Sequence, residues 1–267
     1  MSAVTDSDRR APTRAHPAAL LWAEHAPPNG YPAGVLPVPE PIPGTAFFPG
    51  GYGLYHAGEG RPLPPFPVGG VMVLGHDFHS EAGYRASLAL RRERATMGTW
   101  RNLVALLRGA GIDLGRCFFT NAYMGLRQGS ASTGVFPGAR DANFVAYCRQ
   151  FMLRQLAAQR PALVLTLGVY APRVLAPLSP ALADWADARG LKALDAAGPL
   201  RGGVTFPGAP GVEATVVALT HPSLWHAPVR HRRYGGEEGA AAERRMLRDA
   251  LADPRARAAA GALGAAR

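Results

Sequence analysis

The sequence predicts an α/β protein, a three-layer α/β/α sandwich around a central four-stranded parallel sheet. Three observations predict it. Four short apolar runs, at residues 68–74, 116–123, 162–168 and 214–220, are unbroken rather than alternating, as strands buried on both faces require. Segments with apolar residues at helical spacing separate the runs, and strand–helix alternation packs as a parallel sheet with helices on both faces. Each run ends in small or polar residues, so these groups converge at the carboxyl edge of the sheet, where open α/β sheets bind ligands.

Residues 1–67 come first and read as a proline-rich arm, since 14 of the 25 prolines lie in the first 70 residues and proline fits neither helix interiors nor central strands. Leu20-Leu21-Trp22, Phe47-Phe48 and the tyrosines at 52 and 55 are expected to anchor the arm, and residues 1–15 to be mobile. The core domain is expected over 68–252. Its first strand runs into Gly75, which permits a sharp turn, and then into His76, Asp77, Phe78 and His79. A helix is predicted to begin within 86–94. The next has Trp100, Leu103, Val104, Leu106 and Leu107 on one face, Thr99 as its N-cap, and Gly109 and Gly111 as its stop. The second strand ends in Thr120-Asn121. The loop 124–140 is long enough to suggest a functional role. Asp141 or Asn143 caps a helix over 144–159 whose buried face is Phe144, Cys148, Phe151, Met152 and Leu156. The third strand ends in Leu167-Gly168, and a helix starts near Tyr170. Residues 177–211, rich in Gly and Pro, predict no regular element. The fourth strand runs into His221-Pro222-Ser223-Leu224-Trp225-His226, followed by the basic loop Arg230-His231-Arg232-Arg233-Tyr234. A last helix covers roughly 240–252, and residues 253–267 form an Ala/Arg-rich tail.

With 267 residues and 48% apolar content the chain is long enough for a sizeable core. No apolar run approaches the length of a membrane span and the N-terminus lacks a signal-peptide pattern, so a cytoplasmic protein is expected. The two cysteines, Cys117 and Cys148, cannot form a four-cysteine zinc or iron–sulfur site. The net charge of +10 is carried by arginine, with Lys192 as the only lysine. Biased composition accounts for that ratio, but the net charge points to a polyanionic partner. Six arginines and one glutamate between Arg85 and Arg108 supply half of it.

Gly75-His76-Asp77, Thr120-Asn121, Leu167-Gly168 and His221-Pro222-Ser223 are thus expected at one site. There is no G-x-S-x-G nucleophile elbow and no G-x-x-x-x-G-K-[ST] phosphate loop, which argues against a serine hydrolase and an ATPase. His76, Asp77, His79, His221 and His226 do not have the spacing of a zinc site, so neither metal nor cofactor is expected.

These four stretches, in this order, resemble the uracil-DNA glycosylase superfamily. Gly75-His76-Asp77-Phe78-His79 stands where the superfamily has Gly-Gln-Asp-Pro-Tyr-His or a relative of it. Asn121 matches the asparagine ending its second strand, Leu167-Gly168 its third strand end, and His221-Pro222-Ser223 its His-Pro-Ser unchanged. Thr99-Trp100-Arg101-Asn102-Leu103 resembles its Ser-Leu-x-Asn-Ile helix start. The resemblance covers roughly residues 68–250, and it rests on the order of short motifs rather than on any one of them.

The resemblance implies a glycosylase-like fold and roles residue by residue. Asp77 would orient or activate the water attacking C1′, and His221 would stabilise the negative charge on the departing base. Asn121 would read the base edge, with Gly75, His76, Phe78 and His79 around the base. DNA contacts would come from Thr99, Arg101, Asn102, Gly168, Ser223 and the basic-loop Arg230, and Leu224 or Trp225 would wedge into the vacated stack. Phe78 replaces the proline, His76 the glutamine, and His79 the tyrosine that excludes the thymine methyl, so the preferred base stays open. With only Cys148 near a cluster-ligand position, the chain resembles a cluster-free member. The expected activity is a monofunctional DNA glycosylase releasing uracil or another deaminated base, acting as a monomer on double- or single-stranded DNA. Two rivals remain: an inactive uracil- or single-strand-binding protein on the same fold, and a hydrolase of free nucleosides or nucleotides.

Overall fold

A computed structural model describes residues 16–53, 63–94 and 98–261. The expectations for residues 1–15, for Tyr55 and for the last six residues of the tail lie outside them. The sheet has five strands: β1 (Val71–Gly75), β2 (Cys117–Asn121), β3 (Leu163–Leu167), β4 (Leu200–Thr205) and β5 (Glu213–Leu219). Their order is β2-β1-β3-β5-β4. The first four in that order are parallel, and β4 runs antiparallel to β5 along the edge.

The fifth strand corrects the four-stranded parallel prediction. β4 comes from the stretch that predicted nothing regular, and the reason is physical. An edge strand needs no apolar run, and within it only Val204 is fully buried, beside exposed Gly202 and Gly203 and a register break between Arg201 and Val204. The other strands overlap the predicted runs, with shifted ends. β1 starts at Val71 rather than 68 because Gly69, at φ +73°, and the Pro67–Gly70 turn delay entry to the sheet.

The two faces of each strand feed separate apolar layers. Met72, Leu74, Phe118, Val164 and Val216 pack against α4 (Ala142–Gln159) and α5 (Tyr170–Leu175). Val71, Val73, Phe119, Leu165 and Val217 pack against α3 (Gly98–Gly109), α7 (Gly239–Ala250) and α8 (Pro254–Ala259). Full burial of each such side chain is worth about 1.5–3 kcal/mol. α4 is capped by Asp141, whose Oδ1 accepts the Phe144 N–H at 2.8 Å, and its five predicted inward residues are all buried. Two helix starts differ from expectation. Ser80 caps α2 (Glu81–Ala89), upstream of the predicted 86–94. α3 begins at Gly98, so Thr99 lies inside its first turn and is not its cap.

The proline-rich segment is tied into the sheet edge. The Phe48 N–H donates to the Phe119 carbonyl at 2.9 Å, and Phe48 bridges to Thr120 in parallel register. Phe47 and Phe48 are buried on opposite sides, in the two apolar layers. α1 (Pro17–Ala23) packs on the α4 side. Two more helical segments, the three-ten turn Pro180–Trp185 and α6 (Leu191–Ala197), close the region before β4. No described helix is long and apolar enough to cross a membrane.

Candidate functional site

The register of the sheet sets the site. Gly75 pairs with Asn121, and Leu167 with Leu219, so the residues after these strands leave the sheet at one level. They surround a cavity of about 970 Å³. Gly75, His76, Asp77, Phe78, His79 and Asn121 line it from β1 and β2, Gly168 from β3, and His221, Ser223 and Leu224 from the turn after β5. Thr99 reaches it from α3. Arg101, Asn102, Trp225 and Arg230 do not line it. Arg101 and Arg230 are exposed. Asn102 instead donates Nδ2 to the Pro222 carbonyl at 2.8 Å, fastening α3 to the His-Pro-Ser turn. Trp225 is partly buried against the α3/α7 layer.

Asp77 is the most constrained group. Its side chain is 7% exposed. Oδ1 accepts from Arg127 Nε and from the His79 N–H, both at 3.2 Å. Oδ2 accepts from Arg127 Nη2 at 2.8 Å and lies 2.8 Å from His76 Nδ1. Burial alone would raise its pKa, but the hydrogen bonds from His76 and Arg127 outweigh it and hold the carboxyl at about 2. Arg127 uses its remaining donors on the carbonyls of Thr133, Gly134 and Val135 at 2.8–3.1 Å, so this buried arginine also draws the exposed loop 128–135 over the site. Nothing in the sequence marked it. It sits in a two-residue ladder, Leu126–Arg127 with Val35–Leu36, and its partner is fifty positions away.

His221 has a defined tautomer. Its Nδ1 accepts the Ser223 N–H at 3.3 Å and lies 2.7 Å from Ser223 Oγ. In the neutral ring the proton therefore sits on Nε2. Burial pushes its pKa down, Asp77 pulls it up, and His76 pushes it down again, leaving it below the usual histidine range. Gly168, at φ +79°, lets the β3 turn pass the ring, since a Cβ there would lie 3.1 Å from His221 Cβ.

Asn121 is 3% exposed and donates Nδ2 to the Phe48 carbonyl at 3.1 Å, so the arm holds the residue expected to read the base. His79 adopts φ +95°. Its Nδ1 accepts the Ser80 N–H at 2.8 Å and its ring rests on Gly83, where a Cβ would meet ring atoms at 2.2 Å. Burial pushes its pKa down. Phe78 packs on Tyr84 at 5.4 Å and over Gly50 of the arm. Three further lining residues carried no sequence signal. Tyr170 stacks on His76 with centroids 4.4 Å apart and planes at 23°. Glu93 accepts from the Trp100 indole N–H and the Phe47 N–H, and burial pushes its carboxyl up to about 7 against those bonds. Lys192 lies on the exposed rim. Among the described residues no three His, Cys, Asp or Glu side chains group as metal ligands.

Comparison with known proteins bears on this arrangement. A search of curated proteins gives no match. A family model, the Uracil DNA glycosylase superfamily, matches residues 87–229. The matched region contains Asn121, Gly168 and His221 and begins after Gly75–His79, which the sheet register brings to the same cavity. The match takes in more than half of the chain. A central, mostly parallel sheet with helices on both faces agrees with it, and the chain belongs to the uracil-DNA glycosylase superfamily.

Proposed function

We propose that the protein is a monofunctional DNA glycosylase that hydrolyses the N-glycosidic bond of uracil or another deaminated base flipped out of DNA. Superfamily membership supports glycosylase chemistry in general. The observation that carries the specific reading is the His221 ring, with Nδ1 occupied by Ser223 and Nε2 left as the donor beside the cavity. Breaking the C1′–N bond sends its electron pair to the base. A preorganised donor aimed at that growing charge is worth more in a site shielded from water, and burial keeps His221 neutral for the task. Asn121 retains one amide N–H and Oδ1 for a base edge after serving Phe48. Asp77 supplies a fixed negative charge for the positive charge growing at C1′. The net charge of +10 suits the DNA backbone.

A second reading, a nucleic-acid-binding protein without base release, draws on the same geometry. Asp77 is nearly neutralised by Arg127, which weakens it as the activator of a water molecule. One experiment separates them. An oligonucleotide with a single deoxyuridine, then hypoxanthine or xanthine, is incubated with enzyme as single and double strand, and abasic sites are cleaved with alkali. The glycosylase reading expects product and a loss of about 10²–10³-fold in His221→Ala, the usual effect of removing one such donor. Salt-sensitive binding with no product on any of the three bases favours the binding protein.

A further inference from the structure

The proton that leaves the attacking water needs an acceptor, and Asp77 is badly placed to be one. Each of its oxygens already accepts two contacts. Two of the five N–H donors of Arg127 bond it and the other three hold loop carbonyls, so turning the carboxylate toward water would leave two donors of a buried guanidinium unpaired. Next to it, His76 is arranged as a proton acceptor. Its Nδ1 faces Asp77 Oδ2 at 2.8 Å. A carboxylate can only accept, so the neutral ring carries its proton on Nδ1 and a lone pair on Nε2. No protein group bonds Nε2 among the described residues. The ring is 12% exposed, lines the cavity, and is held flat by Tyr170 and edge-on by Tyr123 at 5.4 Å.

We propose that His76, oriented by Asp77, takes the proton from the attacking water, and that Asp77 is a positioning residue rather than the base. This rests on the glycosylase reading. In the step, the water oxygen forms the bond to C1′ as the C1′–N bond breaks. The bonding pair leaves on the base, where His221 Nε2–H meets it, and the water proton moves to His76 Nε2. Asp77 balances the imidazolium so formed, and that proton returns to the departed base or to solvent. The charged and titratable groups around His76 are Asp77 beside it, Arg127 behind Asp77, His221, and the phenols of Tyr123 and Tyr170.

Single-turnover base release is measured against pH at saturating enzyme. Wild type, His76→Gln, and His76→Ala with and without added imidazole are compared, with thermal unfolding as the check that each variant folds. The dyad predicts a wild-type rate that rises with pH along one limb. His76→Gln loses that limb and about 10²–10⁴-fold in rate, the range for a positioned general base. Imidazole entering the slot beside Tyr170 restores part of the rate in His76→Ala but not in His76→Gln. If His76 only binds the base, His76→Gln raises the enzyme concentration for half-saturation and keeps both the limb and the maximal rate, which overturns the proposal. Wild type that releases none of the three bases overturns the glycosylase reading itself, and the dyad with it.

Discussion

The Arg127 guanidinium meets the Asp77 carboxylate side by side, Nε to Oδ1 at 3.2 Å and Nη2 to Oδ2 at 2.8 Å, with both side chains less than a tenth exposed. Such a pair is costly to break from one end, because the partner stays buried and charged. Arg127→Ala is expected to lose about 3–5 kcal/mol in urea unfolding. Arg127→Lys should recover only part of this, since a single ammonium cannot serve Asp77 and three carbonyls together. In an Asp77→Asn background the Arg127→Ala loss should shrink. Equal losses in both backgrounds would mean that the loop contacts, not the ion pair, carry the stability.

Two carboxyl groups in the same cavity are pushed in opposite directions, which predicts opposite pH effects. Asp77 falls from 3.8 to about 2 on folding. A depressed carboxyl stabilises the fold above its unfolded value, and that contribution, about 2 kcal/mol, is lost as pH falls from about 4 to 2. Glu93 rises from 4.5 to about 7. A raised carboxyl favours the folded state below 4.5, and that advantage drains away as pH climbs to about 7. The upper bound is about 3 kcal/mol, discounted because Glu93 keeps some solvent contact. Chemical unfolding across pH 2–9 tests both. Glu93→Gln should flatten the upper window alone and Asp77→Asn the lower window alone.

How much was legible follows from what kind of signal each part leaves. Strands buried on both faces leave apolar runs, so β1, β2, β3 and β5 could be read, together with the small and polar residues at their ends that line the cavity. β4 could not, because an edge strand with two exposed glycines leaves no run. Arg127 could not, because its role depends on a fold that brings positions 77 and 127 together. The same holds for the Phe48 carbonyl under Asn121. A main-chain group carries no side-chain identity to recognise, and the phenylalanines around it marked only an anchor. Leu224 and Trp225 were equal candidates for the wedge in the sequence, and their burial, Leu224 55% exposed and Trp225 partly buried, could not be read from it.

Gly75 predicts a separation of binding from folding. A Cβ at this position would lie 2.4 Å from Asn121 Oδ1, too close for both to stay. In Gly75→Ala the carboxamide must swing away, at a cost of about 1–3 kcal/mol for overpacking. The Asn121–Phe48 hydrogen bond is the contact at risk. Half-saturation for the uracil-containing strand should rise about tenfold or more, the equivalent of ~1.4 kcal/mol. Asn121→Ala should lose as much binding with less stability. If Gly75→Ala binds as wild type does, Asn121 is not reading the base.

The exposed Leu224 side chain predicts a difference between duplex and single strand. It sits at the end of the three-ten turn Pro222–Leu224, on the cavity rim, in a turn fixed from below by Asn102 on the Pro222 carbonyl. In a duplex, extruding a nucleotide leaves a gap in the stack that an apolar side chain can fill. A single strand has no such gap to hold open. Leu224→Ala should therefore slow release from the duplex about ten- to fiftyfold, since the three carbons lost are each worth ~0.8 kcal/mol when buried. Single-strand release should change by less than about twofold, because no such burial is lost there. Trp225→Ala, by contrast, should lower the unfolding midpoint and leave the duplex-to-single-strand ratio alone, since its ring packs against the α3/α7 layer. Equal slowing of both substrates by Leu224→Ala would place Leu224 among the groups that bind the base rather than those that hold the gap.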